Sequence, residues 1–277
     1  MELVLKIIVP VLVFIGLGAL MGIMLAVAAK AFAVKRDPRV EKIEELLPGA
    51  NCGGCGFAGC SAFAEAVVKG EVAPAKCAAS DADHVEKMCA VMGIEAVHAV
   101  RMRAQVMCSG TSEHAKKKYI YKGFPDCISA ATLGGGDKLC PNGCIGLGTC
   151  VRSCAFGAIS VVNGVAYVDY HKCKGCGVCV ASCPKGLIEL IPFDSRHWVG
   201  CKSVEAGKIT RSYCDVGCIS CGLCERNCPA DAISVNDNVA SIIYDNCVAC
   251  GACVSKCPRG IIYSPDAGIV KFLANEK

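Results

Sequence analysis

Near the carboxyl end, cysteines fall into two runs of one pattern. Cys218, Cys221, Cys224 and Cys228 precede Pro229, and Cys247, Cys250, Cys253 and Cys257 precede Pro258, writing CxxCxxCxxxCP twice. Thiolates at such short intervals let one turn of backbone follow a corner of an iron-sulfur cube. A zinc ribbon uses CxxC pairs separated by longer inserts, so a structural zinc protein presenting a binding surface is the weaker reading; iron with acid-labile sulfide would exclude it. A disulfide framework fits no better. The 25 cysteines are odd in number and repeat at a fixed interval, whereas disulfide scaffolds are short, secreted and irregularly spaced.

The double run is the signature of a bacterial two-cluster ferredoxin, where the first three cysteines of each run hold one cube and the fourth crosses to the other. The expected sets are Cys218, Cys221, Cys224 and Cys257 on one 4Fe-4S cluster, then Cys247, Cys250, Cys253 and Cys228 on its neighbour. A second copy stands 74 residues upstream, with Cys150, Cys154, Cys173, Cys176, Cys179 and Cys183 matching Cys224, Cys228, Cys247, Cys250, Cys253 and Cys257. This copy departs from the pattern at Leu147, which occupies the place of Cys221. Cys140, four residues before Cys144, can supply the lost ligand. The first module is therefore expected to hold one cube on Cys140, Cys144, Cys150 and Cys183 and another on Cys173, Cys176, Cys179 and Cys154.

The stretch NCGGCGFAGC, residues 51–60, reads two ways. Gly54, Gly56 and Gly59 spell the dinucleotide fingerprint GxGxxG, while Cys52, Cys55 and Cys60 form a metal loop. The fingerprint requires a strand running into it, and the preceding VEKIEELLPGA is a helical pattern. The cysteine reading prevails, with Cys77 as fourth ligand of a further 4Fe-4S cluster and the glycines allowing close backbone approach. Five clusters are thus expected. Of the remaining cysteines, Cys108, Cys127, Cys201 and Cys214 flank the first module and make a possible sixth set by counting, against the alternative of unligated core thiols. Cys89, in the apolar helical run HVEKMCAVMGI, reads as core.

The elements that must position these thiols give an α+β chain. From Ile7 to Ala29 the sequence carries no charge, long enough to cross a bilayer as one helix. Lys30, Lys35, Arg36 and Arg39 follow it and only Lys6 precedes it. The positive-inside rule then puts everything after the span in the cytoplasm, as a single-pass protein of the cell membrane, against a cleaved signal peptide as the alternative. Gly18 and Gly22 form a GxxxG that could pack on a partner helix. VVNGVAYVDY and SVNDNVASIIY read as hairpins turning at Asn163 to Gly164 and at Asn236 to Asn238. The domains expected are an anchor over residues 1–36, a small helical 4Fe-4S domain over 37–95, a connecting segment over 96–139, and ferredoxin modules over 140–200 and 201–277. The long, glycine-containing connection between the first cluster domain and the modules would let the modules swing. Net charge is +4, which does not suggest nucleic acid. Lys116, Lys117, Lys118 and Lys122 could steer an acidic partner, although a solvated basic loop explains them better. His84, His98, His114, His171 and His197 share no ligand spacing.

This order of parts resembles the B subunit of the Rnf complex, the membrane-bound ferredoxin:NAD oxidoreductase. A membrane helix followed by ELLPGANCGGCGFAGC carries the resemblance, and the tandem modules with CPNGCIGLGTC match the longer form of anaerobes. The resemblance implies a subunit of an ion-translocating enzyme with no catalytic site beyond electron transfer. Reduced ferredoxin would be the donor, and other subunits with flavins and the NAD site would couple the flow to sodium or proton export. The competing class is a polyferredoxin subunit of another membrane enzyme, of hydrogenase or formate-oxidising type, which would not need the NCGGCGFAGC domain.

Overall fold

The computed structural model describes residues 2–32, 36–96 and 100–264, with side chains from residue 8 onward. Lys35, His98 and residues 265–277 lie outside the described residues, as does the side chain of Lys6. The first helix, α1, runs Glu2–Ala31 and contains Pro10. Over Ile8–Ala31 it is long and apolar enough to cross a membrane, and none of that span is buried against protein. A helix apolar on every face has nothing in a small water-soluble fold to cover it, whereas a bilayer does.

Three helices build the next domain: α2 (Pro38–Leu46), α3 (Cys60–Val68) and α4 (Ala82–Met92). Asp37 caps α2 by accepting the Arg39 N–H at 2.9 Å, satisfying one of the donors a helix start leaves free. Ile43, Phe63, Val67 and Met88 meet in the core, each contributing roughly 1.5–3 kcal/mol by burial. Cys89 sits in α4 at 3% exposure.

The first cysteine-repeat module comprises β1 (Met102–Val106), α5 (Cys127–Thr132), α6 (Thr149–Arg152), β2 (Ile159–Val162), β3 (Val165–Val168), α7 (Val178–Ser182) and β4 (Ile188–Pro192). The second comprises β5 (Trp198–Val199), α8 (Gly207–Tyr213), α9 (Leu223–Arg226), β6 (Ile233–Asn236), β7 (Val239–Ile242), α10 (Ala252–Lys256) and β8 (Ile262–Tyr263). Both expected hairpins are present, β2 with β3 and β6 with β7. Their turns fall on Asn163–Gly164 and Asp237–Asn238, all at positive φ, the geometry that matches strand twist in a two-residue turn. Asn236, expected in the turn, still belongs to its strand.

The segment 96–139 is more than a connection. Its strand β1 pairs antiparallel with β4, from Met102 opposite Pro192 to Val106 opposite Ile188, and Ala104 and Val106 enter the first module's core. Backbone donors and acceptors near a core must find partners, and this stretch finds them in β4. The same logic moves the module boundary: β5, expected in the first module, pairs with β8 of the second. Met107, Ile191, Trp198 and Tyr263 then pack together across the junction. The swinging-arm expectation therefore meets a fold in which the connecting strand is structural. The amino-terminal domain also rests on the first module, with Phe156 against its core and Lys174 pairing with Asp81 at 3.2 Å.

The basic run is likewise structural in part. Lys116 donates to the Ser212 carbonyl at 2.8 Å, Lys117 pairs with Asp137 at 2.8 Å, and Lys118 donates to the Gly134 carbonyl. Lys122 remains exposed.

Candidate metal centre

The loop after α2 delivers the first ring of thiols. A helix precedes NCGGCGFAGC, so the strand that a dinucleotide fingerprint requires is replaced by α2 and an extended Leu47. The Asn51 carboxamide oxygen accepts the Cys60 N–H at 2.8 Å, folding the loop back onto the start of α3. Cys52, Cys55, Cys60 and Cys77 surround a cavity of about 390 Å³ that Cys176 of the first module also lines. Gly54 has to be glycine here, because a Cβ on it would lie 2.4 Å from the Cys176 carbonyl oxygen.

In the modules, one repeat position shapes every ring. Gly148, Gly177, Gly222 and Gly251 each adopt left-handed φ immediately before α6, α7, α9 and α10. A Cβ disfavours that conformation. The reversal starts each short helix so that its second residue is a cysteine: Cys150, Cys179, Cys224 or Cys253.

The second module's first set gathers as the spacing predicts, with Cys218, Cys221, Cys224 and Cys257 around a cavity of about 340 Å³. The first module's equivalent does not. Its cavity of about 410 Å³ is lined by Cys127, Cys144, Cys150 and Cys183; Cys140 is elsewhere. Cys127 is brought in by α5. Asp126 caps that helix by accepting the Ser129 N–H at 2.9 Å, Thr149 Oγ1 accepts the Cys127 N–H at 2.8 Å, and Thr149 in turn donates to Asp126 at 2.7 Å. Those bonds hold the Asp126 carboxyl at about 2, with the Ser129 backbone donor the largest cause.

Cys140 instead joins Cys108, Cys201 and Cys214 around a further cavity of about 360 Å³ between the modules. The grouping of four leftover cysteines is thus corrected in one member, Cys140 for Cys127. This bridging cavity adjoins both modules directly: the Cys144 N–H donates to Cys108 Sγ at 3.4 Å, and the Cys218 N–H donates to Cys201 Sγ at 3.3 Å.

For the two remaining sets, the contacts are between thiols and backbone donors. Cys173 Sγ accepts from Ala104 N of β1 at 3.3 Å, and Cys154 Sγ accepts from Ala158 N at 3.4 Å. Cys179 faces Cys173, Cys176 and Cys154, and burial foremost pushes its thiol up to about 12. Cys253 faces Cys247 and Cys228 and is raised for the same first cause. Cys250 is exposed, in contrast to the buried or half-buried state of every other cysteine.

The donor set suits polynuclear clusters. Among the described residues no three His, Cys, Asp or Glu side chains converge tightly enough for a single metal ion; the thiols ring cavities instead. The bridging cavity, which no sequence motif announces, is ringed by four cysteines, and each of the other three by at least four. Burial drives Cys140 up to about 11 and Cys144 and Cys201 up to about 12, favouring the neutral thiol, whose proton a metal bound there would replace. His197 takes no part in a ring; its Nδ1 lies 3.0 Å from Ser264 Oγ.

Comparison with known proteins gives the arrangement a family. The chain is 41% identical over 83% of its length to the B subunit of the ion-translocating oxidoreductase complex of Methanosarcina acetivorans, covering 88% of that protein. The chain belongs to the family of Rnf complex B subunits. Other members of the Rnf family are similarly close. The B subunit of the Na(+)-translocating ferredoxin:NAD(+) oxidoreductase complex of Acetobacterium woodii is 44% identical over 86% of this chain and 72% of its own. That of the proton-translocating complex of Clostridium ljungdahlii is 43% identical over 82% and 80%. Within this Rnf-type chain, family models match residues 47–79 ("Putative Fe-S cluster"), 166–189 (4Fe-4S binding domain) and 217–262 (4Fe-4S dicluster domain). The bridging cysteines, Cys108, Cys140, Cys201 and Cys214, fall outside all three.

Proposed function

We propose that this chain is the electron-transfer subunit of a membrane-bound, ion-translocating ferredoxin:NAD oxidoreductase, and that its thiol rings hold six 4Fe-4S clusters in series. Bound there, each cluster supplies one-electron chemistry without proton transfer. The observation that carries the reading is continuity: each ring shares a residue contact with the next. Cys176 links the amino-terminal ring to that of Cys154, Cys173, Cys176 and Cys179. The two cubes of each module exchange their fourth cysteines, and the bridging ring joins the modules through Cys108 and Cys201.

The ends of the series assign its direction. Cys250 is exposed beside Val248 at 67% exposure, so the ring of Cys228, Cys247, Cys250 and Cys253 is where reduced ferredoxin docks. The opposite end, at Cys52 to Cys77, follows α1 in sequence and hands electrons to the membrane partners that carry flavin and the NAD site. The chain crosses the cell membrane once through α1, with the rings on the cytoplasmic side. Ion export resides in the partners, because Ile8 to Ala29 offers no ionisable side chain for a path. Relatives named for sodium and for protons are nearly equally similar to this chain, as expected if the ion is selected elsewhere.

The test is anaerobic iron and sulfide quantification on the purified chain, followed by stepwise addition of reduced ferredoxin under low-temperature electron paramagnetic resonance. About 24 irons, four per cube, with ferredoxin-dependent reduction is the expected result. About 20 irons would remove the bridging cluster, and a full complement that ferredoxin leaves oxidised would remove the electron-entry role.

A further inference from the structure

Two cations stand on either side of the bridging ring. Lys138 lines its cavity, is only 4% exposed, and donates from Nζ to the carbonyl oxygens of Gly110 at 2.7 Å and Gly164 at 2.9 Å. Gly110 belongs to the bridging cavity and Gly164 to the first module's hairpin turn. On the other side, Arg259 lines the Cys218 cavity and donates to the carbonyl oxygens of Cys214 at 2.8 Å and Gly217 at 3.2 Å. Cys214 and Gly217 both line the bridging cavity.

The partners of both cations are carbonyl oxygens. Asp137, next to Lys138 in sequence, is paired with Lys117 instead, and Asp215, next to Cys214, acts at that thiol in the sense opposite to Arg259. A buried ammonium held by dipoles alone carries a desolvation cost that a neighbouring anion would offset. A 4Fe-4S core held by four thiolates is such an anion: the oxidised core's charge leaves a dianion, and one added electron leaves a trianion. The cations also reach the rings beyond. Lys138 stands by Cys144 of the first module's ring, and Arg259 lines the Cys218 cavity of the second.

We infer that Lys138 and Arg259 are the fixed counter-charges of the bridging centre, which makes it the most readily reduced point between the two modules. This rests on the ligand sets proposed above. Each neighbouring ring has one cation in its own lining, Lys185 for the first module and Arg259 for the second. The bridge has Lys138 in its wall beside Lys202, which Glu189 neutralises, and Arg259 and Lys185 also act on it at Cys214 and Cys140, so positive charge converges there. Both residues act by position and charge; neither touches the electron's path as a ligand.

The experiment is a potentiometric titration of the full-length, iron-loaded chain monitored by electron paramagnetic resonance, with the bridging signal assigned as the one lost in Cys140→Ser. The bridging centre should fill before the centres on either side. Lys138→Met and Arg259→Gln should each make it harder to reduce, by roughly tenfold in the reduction equilibrium, the order expected of one close unit charge in a medium of effective dielectric about 20. Lys138→Arg, which keeps the charge, should restore most of that shift. A full iron count with unshifted potentials in Lys138→Met and Arg259→Gln would overturn the inference while leaving the cluster sets intact. An equal shift in Lys138→Arg and Lys138→Met would overturn it too, by tracing the effect to packing. About 20 irons in the unsubstituted chain would overturn both this inference and the six-cluster reading.

Discussion

The two ferredoxin modules share a repeat and differ in how they complete it. The second finds all four thiols of its Cys218 ring inside its own CxxCxxC run and crossing cysteine, and its far ring leaves Cys250 open to solvent. The first has Leu147 in place of one cysteine and draws Cys127, twenty residues upstream, from the start of a helix. What replaces a missing ligand is therefore the thiol that the fold brings near, and sequence proximity is a poor guide to which one that is. The borrowed segment does a second task, since β1 and Cys108 in the same stretch build the module's sheet and one wall of the bridge.

The largest effects should come from removing thiols that distinguish the modules. Cys127→Ser should cost about four irons from the first module, while Cys140→Ser should cost a similar number from the bridge and leave the first module's own signals unchanged. Iron analysis with paramagnetic resonance on both variants checks this; first-module loss in Cys140→Ser would return Cys140 to that ring. Next in size is a repair: Leu147→Cys in the Cys127→Ser background should restore the regular pattern and recover most of the lost iron, as read by the same count.

A smaller difference concerns pH. Asp126 seats Cys127, and its carboxyl lies below that of an unfolded aspartate, so its stabilisation is complete above about pH 4 and is lost as the pH falls toward about 2. In Asp126→Asn the first module should already lose iron faster at neutral pH, and its loss rate should depend less on acid than in the unsubstituted chain. The second module, which has no such cap, should behave alike in both proteins. Smallest is the turn. Gly164→Ala should destabilise the first module by about 1–2 kcal/mol through left-handed strain, and further because the new Cβ would press on the Ser112 hydroxyl, visible as a lowered melting temperature. Asn238→Gly should be nearly neutral, because easier turn geometry is offset by losing the Asn238 Nδ2 bond to the Val204 carbonyl at 3.0 Å.

Much of the fold is legible in the sequence because its signals are local. The uncharged span, the turn residues and the cysteine repeat each act over a few neighbouring positions, and the apolar helix and both hairpins lie where those patterns put them. The choice between Cys127 and Cys140 is a long-range matter, and proximity to Cys144 points to the wrong one. A signal is present in DCISAAT: Asp126 is a helix-capping residue, and a cysteine opening a helix is what Cys60 of α3 also is. Cys140 sits in a loop with no such start. The role of β1 is hidden for a similar reason, since its partner β4 lies more than eighty residues away.

The bridging cavity also has a consequence for how the protein is made. Its walls include Cys108 and Cys140 from one side of the first module's cysteine repeat and Cys201 and Cys214 from the other. A nascent chain can close the amino-terminal ring and much of the first module while the last third is still on the ribosome. The bridge has to wait until Cys214 has emerged and α8 has folded. Any cluster it holds can form only after that point, so a filled bridge would mark a chain in which both modules have found each other.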